Sequence, residues 1–223
     1  MRARLSVIVP VLDAEGALPR LLPGLMEGVE AGLIRELVLS DGGSRDKTAE
    51  IAEEIGAVWL TGPASRGGQL RRGAEAAGGA WLLFLHADSQ LPRGWSETVL
   101  AQMAEGRPAA FRLGFDAGGV PARLVAGWAN LRSRIFRLPY GDQGLLIPRA
   151  LYDAVGGYDD MPLMEDVAMA RKLGRRLDLM PVILRTGAGR YLREGWMRRG
   201  ARNLWLLLRY LGGADPEALR RRY

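Results

Sequence analysis

Cysteine is absent from the 223 residues. Its absence excludes disulfides, thiolate metal sites and thiol nucleophiles, and suits a reducing, cytoplasmic compartment. No uninterrupted apolar run approaches the ~18 residues that a membrane span requires. The opening Met1-Arg-Ala-Arg and the apolar stretch 5–12 imitate a signal peptide. However, Pro10 and Asp13 interrupt that stretch and no small-residue cleavage site follows, so a buried first strand is expected there. Internal repeats, low-complexity tracts and linkers are also lacking, which predicts one continuous domain over residues 1–223.

What is present is an apolar fraction of 48% with 25% charged residues, the balance of a globular chain with a sizeable core. The formal charge is +6, with much of the arginine late in the sequence: Arg193, Arg198, Arg199, Arg202, Arg209 and Arg220 to Arg222. Such a tail is either a solvated surface or a contact to phosphate or lipid. The segment 195–210, with its arginine, tryptophan and leucine, suits a peripheral membrane contact, a cover for the sheet or a homodimer contact. Nucleic acid is not expected as a partner, because that reading requires a contiguous basic stripe.

Along the chain, strands are predicted at 5–9, 36–39, 57–60 and 81–85, alternating with helices at 17–32, after Ser44 or Asp46, and at 67–77. This alternation predicts an α/β fold with a mostly parallel sheet, in which ligands bind beyond the carboxyl ends of the strands. Asp13, Asp41, and His86 with Asp88 follow strand ends, so they are expected to converge on one edge. The second half reads less regularly. Strands are expected at 111–115 and 144–147, and helices at 165–173 and 203–210.

Four segments carry chemistry. In Ser40-Asp41-Gly42-Gly43-Ser44 the glycines permit a tight turn close to a ligand, and Asp41 can accept from a base N–H or a ribose hydroxyl; an ordinary capped turn is the plainer alternative. In His86-Ala87-Asp88 the alternation puts both side chains on the same side of the chain, and Asp88 can hold Mg²⁺ or Mn²⁺ together with phosphate oxygens. For His86, packing is the simpler role. Glu165 and Asp166 open a helix whose dipole favours an ionised carboxylate, as a general base for a hydroxyl requires; they can equally be caps. Arg66-Gly67-Gly68-Gln69 places arginine near a helix N-terminus, where it can grip phosphate.

In order and spacing these segments resemble the inverting family 2 glycosyltransferases of the GT-A, Rossmann-like fold. The matching stretches are Ser6-Val-Ile-Val-Pro-Val-Leu-Asp, Asp41-Gly-Gly-Ser-Arg-Asp-Lys-Thr, Trp81-Leu-Leu-Phe-Leu-His-Ala-Asp, Gly156-Gly-Tyr and Glu165-Asp166. The resemblance implies transfer of a sugar from a nucleotide-diphosphate donor, UDP ahead of GDP, to the hydroxyl of a small or lipid-linked acceptor. Residues 1–110 would hold the donor and 111–223 the acceptor. It places Pro10 and Asp41 at the base, Arg66 and Gln69 near base or phosphate, and Asp88 at the end of the metal-binding Asp-x-Asp. Asp166 falls at the catalytic base, with Glu165 its neighbour, and Arg190-Tyr191 resembles a reduced Arg-Trp element. His86 stands where Asp-x-Asp begins, which shifts the metal toward Asp88 and phosphate. Arg66-Gly-Gly-Gln, His86-Ala-Asp and Tyr140-Gly-Asp-Gln-Gly further resemble a compact bacterial subgroup labelled arsenosugar-biosynthesis glycosyltransferases, and Asp142 is the candidate acceptor contact. The competing readings are a nucleotidyltransferase, which lacks its glycine-rich triphosphate loop here, and a non-catalytic nucleotide-sugar-binding protein.

Overall fold

The computed structural model describes residues 4–221. The first half runs β1 (Leu5–Val11), α1 (Leu18–Glu30), β2 (Ile34–Asp41), α2 (Thr48–Glu54), β3 (Val58–Thr61), α3 (Arg66–Ala76), β4 (Trp81–Phe84) and α4 (Trp95–Glu105). The second half runs β5 (Ala109–Phe115), α5 (Val120–Phe136), a 3-10 turn (Gly141–Gln143), β6 (Leu145–Pro148), α6 (Arg149–Ala154) and α7 (Glu165–Leu173). It continues through a second 3-10 turn (Gly174–Arg176), β7 (Asp178–Thr186), α8 (Gly189–Glu194), α9 (Trp196–Leu211) and α10 (Pro216–Arg220).

One seven-stranded sheet, in the order β3-β2-β1-β4-β6-β5-β7, runs through both halves. Every neighbouring pair is parallel except the two that involve β6. The carboxyl ends of the six other strands therefore share one edge, and the amino end of reversed β6 meets them, with Leu145 opposite Phe84. The segment that enters β6 is thereby delivered to the edge where ligands bind in such sheets.

Period-two alternation fills both faces. Val7, Val9, Leu39 and Leu83 pack with Leu18, Leu21 and Leu25 of α1 and Trp95 and Val99 of α4. Ile8, Leu82 and Phe84 point the other way, to Leu70, Tyr158 and Met169. Trp95 is fully buried, and its indole N–H donates to the Gly24 carbonyl at 2.8 Å. Truncation of so large a core side chain costs about 3–5 kcal/mol.

The predicted strands of the first half are all present, with β2 beginning earlier, at Ile34. Asp46 accepts from the Thr48 backbone N–H at the start of α2, whereas Ser44 turns back to Asp41. The second half is more regular than the sequence suggests. α5 spans 17 residues, but it buries small Ala122 and Ala129 while its large apolar side chains face outward, which hides the usual periodicity. β7 carries Pro181, which ordinarily argues against a strand; it is tolerated on this edge strand beside a register shift opposite Ala110 and Arg112.

Candidate active site

A cleft of about 890 Å³ opens at the carboxyl edge of the sheet. Its first wall comes from the loops after β1 and β4. The loop after β1 is laced to the loop after β2 by reciprocal hydrogen bonds. The Asp13 backbone N–H donates to Ser44 Oγ at 2.9 Å, and the Arg45 N–H donates to Asp13 Oδ1 at 2.8 Å. Lys47 N–H donates to Glu15 Oε2, and Glu15 N–H to Asp46 Oδ2, each at 2.9 Å. Asp13 accepts a positive φ of 48° to make these bonds, a conformation that aspartate tolerates better than most residues. Gln69 completes the lacing, its amide donating to the carbonyls of Val11 and Ser40 at 2.8 Å each.

Pro10, Asp13, Arg66, Gln69, His86 and Asp88 line this wall. Asp41 does not. Its carboxylate turns into its own loop, accepting from the N–H groups of Gly43 and Ser44 and from Ser44 Oγ. It organises the turn that shapes the cleft while standing 3% exposed beneath it.

β4 ends at Phe84, so His86-Ala87-Asp88 is a turn, closed by the Ser89 N–H bonding to the His86 carbonyl, where sequence alternation suggested an extended strand end. Both side chains still reach the cleft. Asp88 Oδ2 accepts from the Gly187 N–H at 3.1 Å and from Thr186 Oγ1 at 3.3 Å. Gly187 approaches so closely that a Cβ there would stand 2.8 Å from Asp88 Oδ2. The other oxygen of Asp88 carries no hydrogen bond among the described residues. Burial, reinforced by the Arg66 and Arg190 guanidinium groups, pushes the His86 imidazole down to about 3, so it is neutral at physiological pH.

The second wall is the 3-10 turn before β6 and the start of α7. Gln143, fully buried, anchors the turn by donating to the Phe111 carbonyl at 3.0 Å and accepting from Ser133 Oγ at 2.7 Å. The Gly141 N–H donates to Asp166 Oδ2 at 2.6 Å, and the Val167 N–H to Asp166 Oδ1 at 2.7 Å. A Cβ on Gly141 would lie 2.7 Å from His86 Nε2, so glycine alone lets this backbone fit between the imidazole and the carboxylate.

The acids of this wall differ from those of the first. Asp142 Oδ1 is buried without a partner among the described residues, and burial, with Asp166 and Asp88 nearby, pushes its carboxyl up from 3.8 to about 6 despite Arg132. Glu165 is 2% exposed, and burial together with the Asp166 charge holds its carboxyl far above the usual range, against the pull of Arg66, whose Nε is 3.7 Å away. Tyr140 lies under the Arg132 guanidinium, 3.5 Å from its ring centre, and burial pushes its phenol up. Perturbed acids gathered in one cleft mark a functional site. The structure thus brings together Pro10, Arg66, Gln69, His86, Asp88, Asp142, Glu165 and Asp166, with Asp41 set behind them.

Sequence reasoning missed Thr186 and Gly187, because β7 was not foreseen, and Tyr140, Asn203 and Arg199, whose cleft-facing position depends on helix packing. The signal available for Thr186-Gly187 was a polar residue and a glycine after a possible strand, and Pro181 masked it.

The sequence profile of Glycosyl transferase family 2 matches residues 6–147. The chain belongs to glycosyl transferase family 2. The match takes in both loops of the first wall and the Tyr140–Gln143 turn, and stops before Glu165 and Asp166. A PGL/p-HBAD biosynthesis glycosyltransferase of Mycobacterium bovis is 32% identical over 139 residues, 59% of this family 2 chain and 49% of the relative. A TPR repeat-containing protein of Synechococcus elongatus is 36% identical over 145 residues, 62% of this chain and 34% of its own. The chain spans about half the length of the mycobacterial relative. Among solved structures, Staphylococcus aureus TarS 1-349 in complex with UDP superposes with a TM-score of 0.64 at 20% identity, covering 82% of this chain and 60% of that one. The mannosyltransferase PcManGT of Pyrobaculum calidifontis, in complex with GDP-Man and Mn²⁺, gives 0.69 at 15% identity over 97% of this chain and 66% of that one. The fold is therefore GT-A.

Proposed function

We propose that this chain transfers a sugar from a nucleoside-diphosphate donor, UDP-linked ahead of GDP-linked, to an acceptor hydroxyl with inversion at the anomeric carbon. The observation that carries the reading is the presence of two carboxylates, each pinned by its own donors, on different walls of one cleft. Asp88 is pinned by the Thr186 hydroxyl and the Gly187 N–H, and Asp166 is pinned by the N–H groups of Gly141 and Val167. The donor lies along the first wall, built before residue 110, with its base beside Pro10 and its diphosphate toward Arg66 and Gln69. Asp41 serves through the turn it shapes; touching the base directly requires exchanging one of its bonds to Gly43 or Ser44. The acceptor enters from the side of residues 111–223, with Asp142 as its polar contact.

A divalent cation fits the residues present. One Asp88 oxygen is unbonded, neutral His86 is available as a further ligand, and hard cations of this kind are held by one or two carboxylates with phosphate completing the shell. Among the described residues no three His, Cys, Asp or Glu side chains group to hold a metal ion. When bound, Mn²⁺ or Mg²⁺ supplies charge stabilisation to the leaving diphosphate. Arg66 adds fixed positive charge to the same group. Asp166, in line with its two N–H donors, takes the acceptor proton as the new glycosidic bond forms and the bond to the diphosphate breaks. Burial and the neighbouring Asp166 charge push the Glu165 carboxyl up, which favours Glu165 as a protonated neighbour of the base.

The test is a donor screen by thermal shift, with and without Mn²⁺, followed by proton NMR of the product formed on a panel of hydroxyl acceptors. The panel includes PGL/p-HBAD precursors, after the mycobacterial relative's name, and arsenosugar precursors, after the subgroup resemblance. Metal-dependent stabilisation by one nucleotide sugar and a product of inverted anomeric configuration are expected. A retained configuration, or stabilisation by a nucleoside triphosphate with release of pyrophosphate, contradicts the proposal.

A further inference from the structure

On the outside of the second half, two neighbouring helices present large apolar side chains to solvent. On α5, Val120, Leu124, Trp128, Leu131 and Ile135 are 48–60% exposed, at the three- and four-residue spacing that puts them on one narrow stripe. On α9, Met197, Trp205, Leu208 and Leu211 are 40–68% exposed and likewise share a face. The helices pack together through small residues: a Cβ on Gly200 of α9 would meet the Val125 side chain of α5 at 3.8 Å. Helical geometry then sets the two stripes side by side. Val125 lies to one flank of the α5 stripe, Gly200 to one flank of the α9 stripe, and these flanks meet.

Charge borders the same surface. α5 carries three arginines and α9 four, and neither helix contains Asp or Glu. Buried Arg132 and Arg199 serve the interior, and Arg202 is held by Glu194. Arg123 and Arg134 are exposed on the flank of α5 away from α9, and Arg198 and Arg209 on the flank of α9 away from α5. The Arg209 guanidinium lies 5.7 Å from the Trp205 ring centre, an arginine–tryptophan pair at the border of the apolar strip. A contiguous apolar area of this size with a polar rim marks an interaction surface.

We propose that the α5–α9 face docks on an anionic lipid bilayer. Two copies of the face brought together would place arginine against arginine with no carboxylate on either helix to answer it, whereas phosphate headgroups complement the rim and the acyl boundary takes the apolar strip. Tryptophans at the edge of the strip suit the headgroup region. Among the described residues no helix is long and apolar enough to cross a membrane, so the contact is one of lying on the surface. The opposite side of α9 lines the cleft with Arg199, Asn203 and Leu206, which places the cleft beside the bilayer. The inference stands on this surface alone and is independent of the donor or the reaction.

The experiment is co-sedimentation of the full chain with vesicles of phosphatidylcholine, with and without phosphatidylglycerol, at low and moderate salt. Binding to the anionic vesicles is expected to be roughly tenfold stronger or more, and to weaken with salt. Replacing Leu124, Trp128 and Ile135 together by Ser is expected to remove most of it. Replacing Arg123, Arg134 and Arg198 by Gln is expected to weaken it roughly fivefold per charge. Because the variants alter the surface, the unmodified chain provides a second readout: brominated lipid quenches its tryptophan fluorescence, and Trp128→Phe reduces the quenching. Equal binding to neutral vesicles, no binding, or a concentration-dependent dimer that the triple Ser variant dissolves, overturns the proposal; the last outcome assigns the face to a second copy of the chain.

Discussion

The two walls of the cleft differ in how fully their buried acids are satisfied. On the first, carboxylates are met by donors: Asp41 by Gly43 and Ser44, Asp13 by Arg45, Asp46 by Glu15 and Thr48, and Asp88 by Thr186 and Gly187. On the second, Asp166 is likewise met by the Gly141 and Val167 N–H groups, but Asp142 keeps a buried oxygen without a partner among the described residues, and Glu165 lies against Asp166 with burial driving its carboxyl up. Backbone donors favour the charged carboxylate, while burial and like charge oppose it. A wall of satisfied anions is a rigid seat for a ligand; a wall of crowded acids holds protons that can move. Under the proposed function, the difference suits the first wall to donor seating and the second to proton transfer.

The largest effect that can break this assignment is expected from Asp88→Ala. It should abolish metal-dependent stabilisation by the nucleotide sugar and turnover together, with the free protein still folded and its melting temperature lowered modestly by loss of the bonds to Thr186 and Gly187; a variant that still turns over in a metal-dependent way removes Asp88 from the donor seat. Gly141→Ala comes next. The new methyl meets His86 Nε2 at 2.7 Å, so the turn before β6 must move at a cost of about 1–3 kcal/mol. A fall in melting temperature with a loss of turnover is expected, and an unchanged melt would show that the second wall is not tightly packed.

Asp142→Asn sharpens the comparison through its sign. The folded carboxyl titrates at about 6, above its ordinary 3.8, so the wild-type chain loses stability as pH rises from about 4 through 6, while the Asn variant does not. The variant is therefore expected to be more stable at pH 7 to 8, on the order of 1–2 kcal/mol, with the gain vanishing below about pH 4. Denaturant melts across this range read it directly, and a gain that persists in acid would assign the effect to packing. The smallest effect is expected from Asp13→Ala, which removes one bond of the lacing between the first two loops and its side chain from a strained φ. A stability loss of about 1 kcal/mol and weaker donor binding at unchanged proton-transfer behaviour are predicted, and unaltered donor affinity would sever the lacing from the seat.

What could be read from the sequence follows the same division. Leu5–Val11 and Trp81–Phe84 announce themselves as short apolar runs of a parallel sheet, and the polar residues after them mark its edge. Asp88, Glu165 and Asp166 were singled out in the sequence, and all three line the cleft. The conformation of Asp41 was not legible there, since the turn that absorbs its carboxylate depends on where Ser44 points. Nor was the partnership of Asp88 with Thr186 and Gly187, 98 and 99 residues away, whose strand is disguised by Pro181. Reversal of β6 brings Tyr140, Gly141 and Asp142 to the cleft, and strand direction leaves no local mark in four apolar residues.

The division of labour is tested most directly by Asp166→Asn, measured once for donor affinity by calorimetry in the presence of Mn²⁺ and once for turnover. The two-wall account predicts donor binding close to that of the unaltered chain and turnover reduced by roughly 10²–10⁴. Donor affinity lost in proportion to turnover would contradict it, placing Asp166 in the donor seat and leaving the second wall without its base.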